Sequence, residues 1–94
     1  MVEQGDILKV EGINHEVVVV SNNWNNSSNQ VVVCPLIKSN KRPTLAIDFD
    51  DRFIACDMIK QLDLDVRGFS HDGRISISKL IMAIDMVQSM LDYY

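Results

Sequence analysis

Most of the marks by which a sequence declares a special class are missing from these 94 residues. There are two cysteines, Cys34 and Cys56, and neither their separation nor their apolar neighbours suit a zinc site, a redox motif or a disulfide framework. They read as buried free thiols, in keeping with a reducing compartment. The two histidines, His15 and His71, lie far apart without metal-ligand spacing, and neither a Gly-rich phosphate loop nor a nucleophile elbow occurs. The sequence therefore predicts no metal and no other cofactor. Two prolines and four glycines exclude collagen-like and low-complexity chains. The longest apolar run, Leu80 to Ile84, has five residues, against the roughly 18 of a membrane span, so no membrane partner is expected. The opening Met-Val-Glu-Gln-Gly-Asp has neither the basic nor the apolar region of a secretory signal, which points to the cytoplasm. Positive charge is scarce as well: nine Lys and Arg face thirteen Asp and Glu, for a net charge of −4. Such a chain is ill suited to broad capture of nucleic acid, so any RNA contact must be a local patch.

What is present is an ordinary globular share of hydrophobic residues, 47%, in a chain too short for two cores. A single domain over residues 1–94 is expected. The first two thirds read as short strands between turns. Asp6 to Glu11 has strand composition and is followed by a tight turn at Gly12-Ile-Asn14. Val17 to Val20 is an apolar β-branched run, the pattern of a strand buried on both faces. Ser21 to Gln30 holds one apolar residue among Asn and Ser, and reads as a loop. Val31 to Pro35 returns to strand, with Pro35 marking an end or an edge. Thr44–Phe49 and Phe53–Cys56 form two more strands about a turn at Asp50-Asp51, and Gln61–Val66 alternates cleanly. Five or six such strands with no long helix between them predict a small antiparallel barrel.

After Gly73-Arg74, read as a turn, the period changes. Leu80, Ile81, Ile84, Val87 and Leu91 recur at helical spacing from Ile77 onward, with Ser76 or Ser78 as N-cap. A second row, Met82, Met86 and Met90, runs beside the first. It is either additional core or a contact with a partner.

Few side chains offer chemistry. His15 follows a turn and precedes a buried strand, where it is either an inert surface residue or an imidazole at a barrel mouth. Lys38, Ser39, Lys41 and Arg42 form a basic loop that is either solvated or a phosphate-binding patch. Trp24 either stacks on a base or packs over the barrel edge. His71-Asp72 reads as a solvated or capping turn.

The order of segments adds to this. Gln4-Gly-Asp-Ile-Leu8, then Val17-Val-Val-Val-Ser-Asn-Asn23, Val33-Cys-Pro-Leu-Ile37, Cys56-Asp-Met-Ile-Lys-Gln-Leu-Asp63, and Arg67-Gly68 with Gly73-Arg74-Ile-Ser76 together resemble the MazF/PemK family of toxins. The resemblance runs over nearly the whole chain. It implies an SH3-like barrel of the CcdB/PemK type with a C-terminal helix, a homodimer, and a small antitoxin protein as partner. It implies endoribonuclease activity on single-stranded mRNA without a metal, by attack of the ribose 2′-OH on the adjacent phosphorus. That reaction needs a base, an acid and a cation for the phosphoryl charge.

By the same resemblance the family's Arg-Pro pair falls on His15-Glu16, its Thr on Ile37 with Ser39 as a hydroxyl two residues on, and its Gln on Met58. Asp57 and Lys60 are retained, and the family's long first loop is reduced to Gly12-Ile-Asn14. The expected site is thus His15 and Ser39 for catalysis, with Trp24, Lys38, Lys41 and Arg42 toward single-stranded RNA. The alternative is a catalytically silent relative that docks an antitoxin-like peptide or another protein target. Gyrase poisoning, as in the CcdB branch, is disfavoured because Asp92-Tyr93-Tyr94 does not resemble that branch's C-terminus.

Overall fold

The computed structural model describes residues 2–91; Tyr93-Tyr94 lies outside the described residues. Seven strands and two helices follow one another as β1 (Asp6–Val10), β2 (Val17–Val19), α1 (Asn23–Asn26), β3 (Gln30–Ile37), β4 (Ala46–Phe49), β5 (Arg52–Ala55), β6 (Lys60–Asp63), β7 (Phe69–Arg74) and α2 (Ile77–Leu91). All strand pairings are antiparallel, in the order β4-β5-β3-β2-β1-β7, with β6 also on β3. The barrel is open, because β4 and β7 do not pair with each other.

The valine run behaves as its composition requires. Val18 and Val20 face one core cluster, with Ile7, Cys34, Leu36, Ile54 and the helix residues Leu80, Ala83 and Val87. Val17 and Val19 face a second cluster with Leu8, Val10, Val31, Val33, Leu62 and Leu64. The strand is buried on both faces, and each fully buried valine contributes roughly 1.5–3 kcal/mol relative to exposure. Cys34 and Cys56 are both buried with free thiols. The hydrogen bond with Cys56 and burial push the Cys34 thiol well above its ordinary pKa, so it stays protonated.

Pro35 does not end its strand. β3 runs on to Ile37, and Pro35 is buried opposite Val17. The backbone bond from Leu36 N–H to the Glu16 carbonyl (2.8 Å) makes Leu36 a bonded position toward β2, so the nitrogen of Pro35 faces the other way. On that side β6 pairs with β3 up to Val33 and β5 pairs from Leu36. The missing N–H falls in the gap between two neighbours, where no ladder needs it.

Three other expectations are corrected. The Ser21–Gln30 segment contains the short helix α1, because the Asn22 side chain accepts from the Asn25 N–H and caps it. Gly73-Arg74 and His71-Asp72 are not turns but the end of β7, which pairs with β1 through Leu8–His71 and Val10–Phe69. The Gln61–Val66 strand stops at Asp63, and Val66 is exposed.

The helix begins where expected, with Ser76 Oγ accepting from the Lys79 N–H at 3.3 Å. Its buried line is Leu80, Ala83 and Val87, with Ile84 and Met86 packed beside them. The small Ala83 at the centre of that face turns it away from the expected stripe. Ile81 is 55% exposed and Leu91 67%. The methionine row is split: Met86 joins the core, while Met82 is half exposed. Gly5, at φ +95°, takes a conformation that side chains rarely adopt, and a Cβ there would stand 3.3 Å from Leu80 Cδ2, so a larger residue would be strained.

Candidate active site

His15 sits at the end of the β1–β2 connection, where the chain is already fixed. The Glu16 carbonyl accepts from Leu36 N–H, tying the residue after His15 to β3. The His15 Nδ1 lies 3.2 Å from that same carbonyl. A carbonyl only accepts, so Nδ1 carries the proton and Nε2 presents a lone pair. Burial lowers the His15 pKa, and nearby Lys60 lowers it further. The imidazole is therefore neutral near pH 7, the state of a base.

A cavity of about 400 Å³ opens at His15. Three permanent cations line it: Lys9 from β1, Lys38 from just past β3, and Arg52 from the first position of β5. Glu16 and Asp72 oppose them, and Leu36 contributes an apolar surface. Lys38 is held 2.8 Å from Asp51, with both side chains well exposed, a pairing that competes weakly with a ligand. Arg52 Nη1 lies 2.6 Å from Glu16 Oε1, and the two side chains are 27% and 18% exposed. Its guanidinium also lies 5.7 Å from the centre of the Phe49 ring. The second oxygen, Glu16 Oε2, is buried and has no hydrogen-bond partner among the described residues.

Of the residues expected from the sequence, His15 and Lys38 come together here; the others do not. Ser39 is exposed beyond the end of β3, so the strand does not carry its hydroxyl round to His15. Its oxygen accepts from the Lys41 N–H at 3.1 Å, and it lines a separate hollow with Lys38, Asn40 and Asp51. Arg42 is engaged by β4, through Asp48 and the Ala46 carbonyl at 2.7 Å, and lies over Phe53. Lys41 is exposed and outside the His15 cavity. Trp24 is 89% exposed on α1, so it does not pack over the barrel edge; it stands at the opposite end of β2 from His15.

Two lining residues went unnoticed in the sequence, Lys9 and Arg52, and a third, Asp72, was read there as solvated or capping. Asp72 was obscured because β7 was taken for a turn. Arg52 had a faint signal: Glu16 adjoins a buried valine run, and a half-buried carboxylate requires a cation. His71 is drawn to Asp6 instead, with Nε2 and Oδ2 3.2 Å apart.

No family model matches the sequence, and no curated protein matches it. Solved structures do match the fold. A chain of the MazE–MazF complex (Form-I) of Deinococcus radiodurans superposes with a TM-score of 0.85 at 14% identity, covering 98% of this chain and 97% of that one. A chain of an endoribonuclease in complex with its cognate antitoxin, from Mycobacterial species, gives 0.80 at 18% identity over 100% and 98%. This chain has the MazF/PemK fold.

Within the MazF/PemK fold the departures noted in the sequence acquire positions. Ile37 is the last residue of β3 and pairs with Phe53, leaving no hydroxyl at that strand end. Met58 is half exposed, in the connection between β5 and β6. Asp57 Oδ1 is buried without a hydrogen-bond partner among the described residues.

Proposed function

We propose that this chain is the toxin of a toxin–antitoxin pair, acting as a metal-independent endoribonuclease on single-stranded mRNA in the cytoplasm. The observation that carries the reading is a neutral imidazole opening on a cavity with three cations, in a chain matching MazF-type structures end to end. A phosphodiester supplies the negative charge that such a cavity favours, and the imidazole supplies the base. In the proposed reaction His15 Nε2 takes the proton of the ribose 2′-OH. The 2′-oxygen then bonds to phosphorus and the bond to the 5′-oxygen breaks. The leaving oxygen takes a proton from water, and His15 returns its own to solvent. Lys38 and its neighbours hold the non-bridging oxygens. Ser39 takes no part, because its hydroxyl lies outside the cavity.

Incubation with mixed-sequence single-stranded RNA in excess chelator tests the chemistry. Products carrying 2′,3′-cyclic phosphate and 5′-hydroxyl ends are expected. Abolition by chelator, or products ending in 3′-hydroxyl, would contradict it. The partners proposed are a small antitoxin protein and a second copy of the chain. The exposed Ile77, Ile81 and Met82 on α2 favour burial against another surface. Sedimentation at micromolar concentration should find a dimer; a monomer throughout would remove that part of the proposal.

A further inference from the structure

The guanidinium that the MazF/PemK resemblance places at position 15 is absent, yet a guanidinium is present in the cavity. Arg52 arrives from β5, on the far side of β3 from the loop that carries His15. We propose that Arg52 binds the phosphate of this site beside Lys38, with Glu16 as the latch that positions it. The proposal rests on the reading of the cavity as an RNA phosphodiester site.

Arg52 is fixed on two sides. Glu16 Oε1 holds Nη1 at 2.6 Å, and the ring of Phe49, its partner across the β4–β5 hairpin, lies under the guanidinium. Yet it is far from saturated. A guanidinium has five N–H donors, and Nη1 is the donor seen engaged, in a single bond rather than a two-bond fork. The carboxylate is equally unfinished, since Glu16 Oε2 is buried without a partner. A purely structural ion pair at this depth gains most by closing both bonds. Here the fork is turned so that donors remain for a second acceptor. The two non-bridging oxygens of a phosphodiester, tetrahedral at phosphorus, can accept from the remaining N–H groups. Glu16 keeps the arginine from wandering. Arg42 cannot take this place, because Asp48 and the Ala46 carbonyl already hold it.

The test compares wild type, Arg52→Lys, the double variant Glu16→Gln with Arg52→Gln, and His15→Ala. The double variant removes both members of the pair and so avoids stranding a buried carboxylate; matched melting curves verify its fold. Cleavage is measured on mixed-sequence RNA, and binding on the same RNA carrying 2′-O-methyl groups across a salt series. For the double variant, cleavage should fall by about 100-fold or more. Its salt dependence of binding should flatten by about 0.7 in slope, the loss of one phosphate contact on a single strand. Arg52→Lys should keep the slope while recovering only part of the cleavage, because charge is retained and the fork is lost. A merely structural pair would leave the slope unchanged. If the double variant cuts and binds as wild type while His15→Ala is inactive, the role of Arg52 is overturned and the nuclease reading survives. If wild type neither cuts nor binds RNA, both fall together.

Discussion

The two ends of β2 are separated by a strand of only three residues and are opposite in chemistry. At the far end, Ser21 to Asn26 is entirely uncharged apart from its dipoles, and its hydrogen bonds close locally. Asn22 Oδ1 accepts from Asn25 N–H at 2.9 Å, Asn26 Nδ2 donates to the Ser21 carbonyl at 2.9 Å, and Asn25 Nδ2 donates to the Gln30 carbonyl at 2.7 Å. Gln4 joins from the N-terminal segment, donating to the Val20 carbonyl at 2.9 Å. The cavity there, about 330 Å³, has valine and isoleucine walls rimmed by amides and no charged lining residue. At the near end, Glu16 Oε2 has no partner and Arg52 uses a single donor. The contrast teaches that polarity of composition is a poor guide to reactivity. An asparagine-rich loop can spend its valences on itself, whereas a few charges left incompletely paired keep theirs for a ligand.

Mutations at the two ends should therefore separate activity from stability. His15→Ala carries the largest expected effect: cleavage falls about 100- to 10,000-fold, or roughly 3–5 kcal/mol of barrier. Its cost in stability should stay near 0.5 kcal/mol, read from urea midpoints. Equal cleavage by wild type and variant would refute the role of His15. His15→Arg with Ile37→Thr restores the residues of the resemblance but removes the proposed base, so cleavage at or above the wild-type rate would count against His15 as that base. A silent binding protein would leave wild type and both variants inert on single-stranded RNA.

Asn26→Ala attacks the other end. It strands the Ser21 carbonyl and takes the acceptor from the Ser21 hydroxyl proton, though Ser21 Oγ still accepts from Val32 N–H, so stability should fall by about 1–3 kcal/mol. The cleavage rate of the remaining folded protein should not change; a loss of rate without a loss of stability would blur the distinction between the ends. A pH series is the gentler probe. Burial and Lys60 favour neutral imidazole, so cleavage should rise with pH through a midpoint below the ordinary His value of about 6.5. The sign for stability is the same: the unfolded chain binds this proton more readily, so His15 opposes folding as pH falls below that value. A midpoint above the ordinary value would contradict the assignment of His15. The smallest effect belongs to Trp24→Ala, expected within about 0.5 kcal/mol by thermal melting, because the indole is exposed.

Legibility in the sequence followed apolar patterning. The valine strands, the Asp50-Asp51 hairpin and the helix starting after Ser76 all announce themselves by period or by β-branched runs, and each lies where those signals put it. β7 reads Phe-Ser-His-Asp-Gly-Arg and every one of its residues is exposed, so it has no buried face to imprint on the sequence. It exists because β1 offers a ladder, which is tertiary context overriding composition. α1 was hidden for the same reason, being held by caps rather than by apolar contacts. At the site, His15 and Lys38 were visible because they flank recognisable strands. Arg52 was not, because the register of β5 on β3, and of β3 on β2, is what carries it to Glu16. Ser39 could share the face of Ile37 only on a strand continuing that far, and β3 ends at Ile37.

The exposed strand has one more consequence. β7 pairs with β1 and, among the described strands, with no other, so its outer backbone groups face solvent. Such a row invites another chain to add on and start an aggregate. Here the invitation is weak. His71, Asp72 and Arg74 crowd the strand with charge-bearing groups, Gly73 at φ +126° bends it, and the register with β1 shifts between Asp6 and Leu8. The polarity that hid β7 from pattern reading also makes this edge a poor template for another strand.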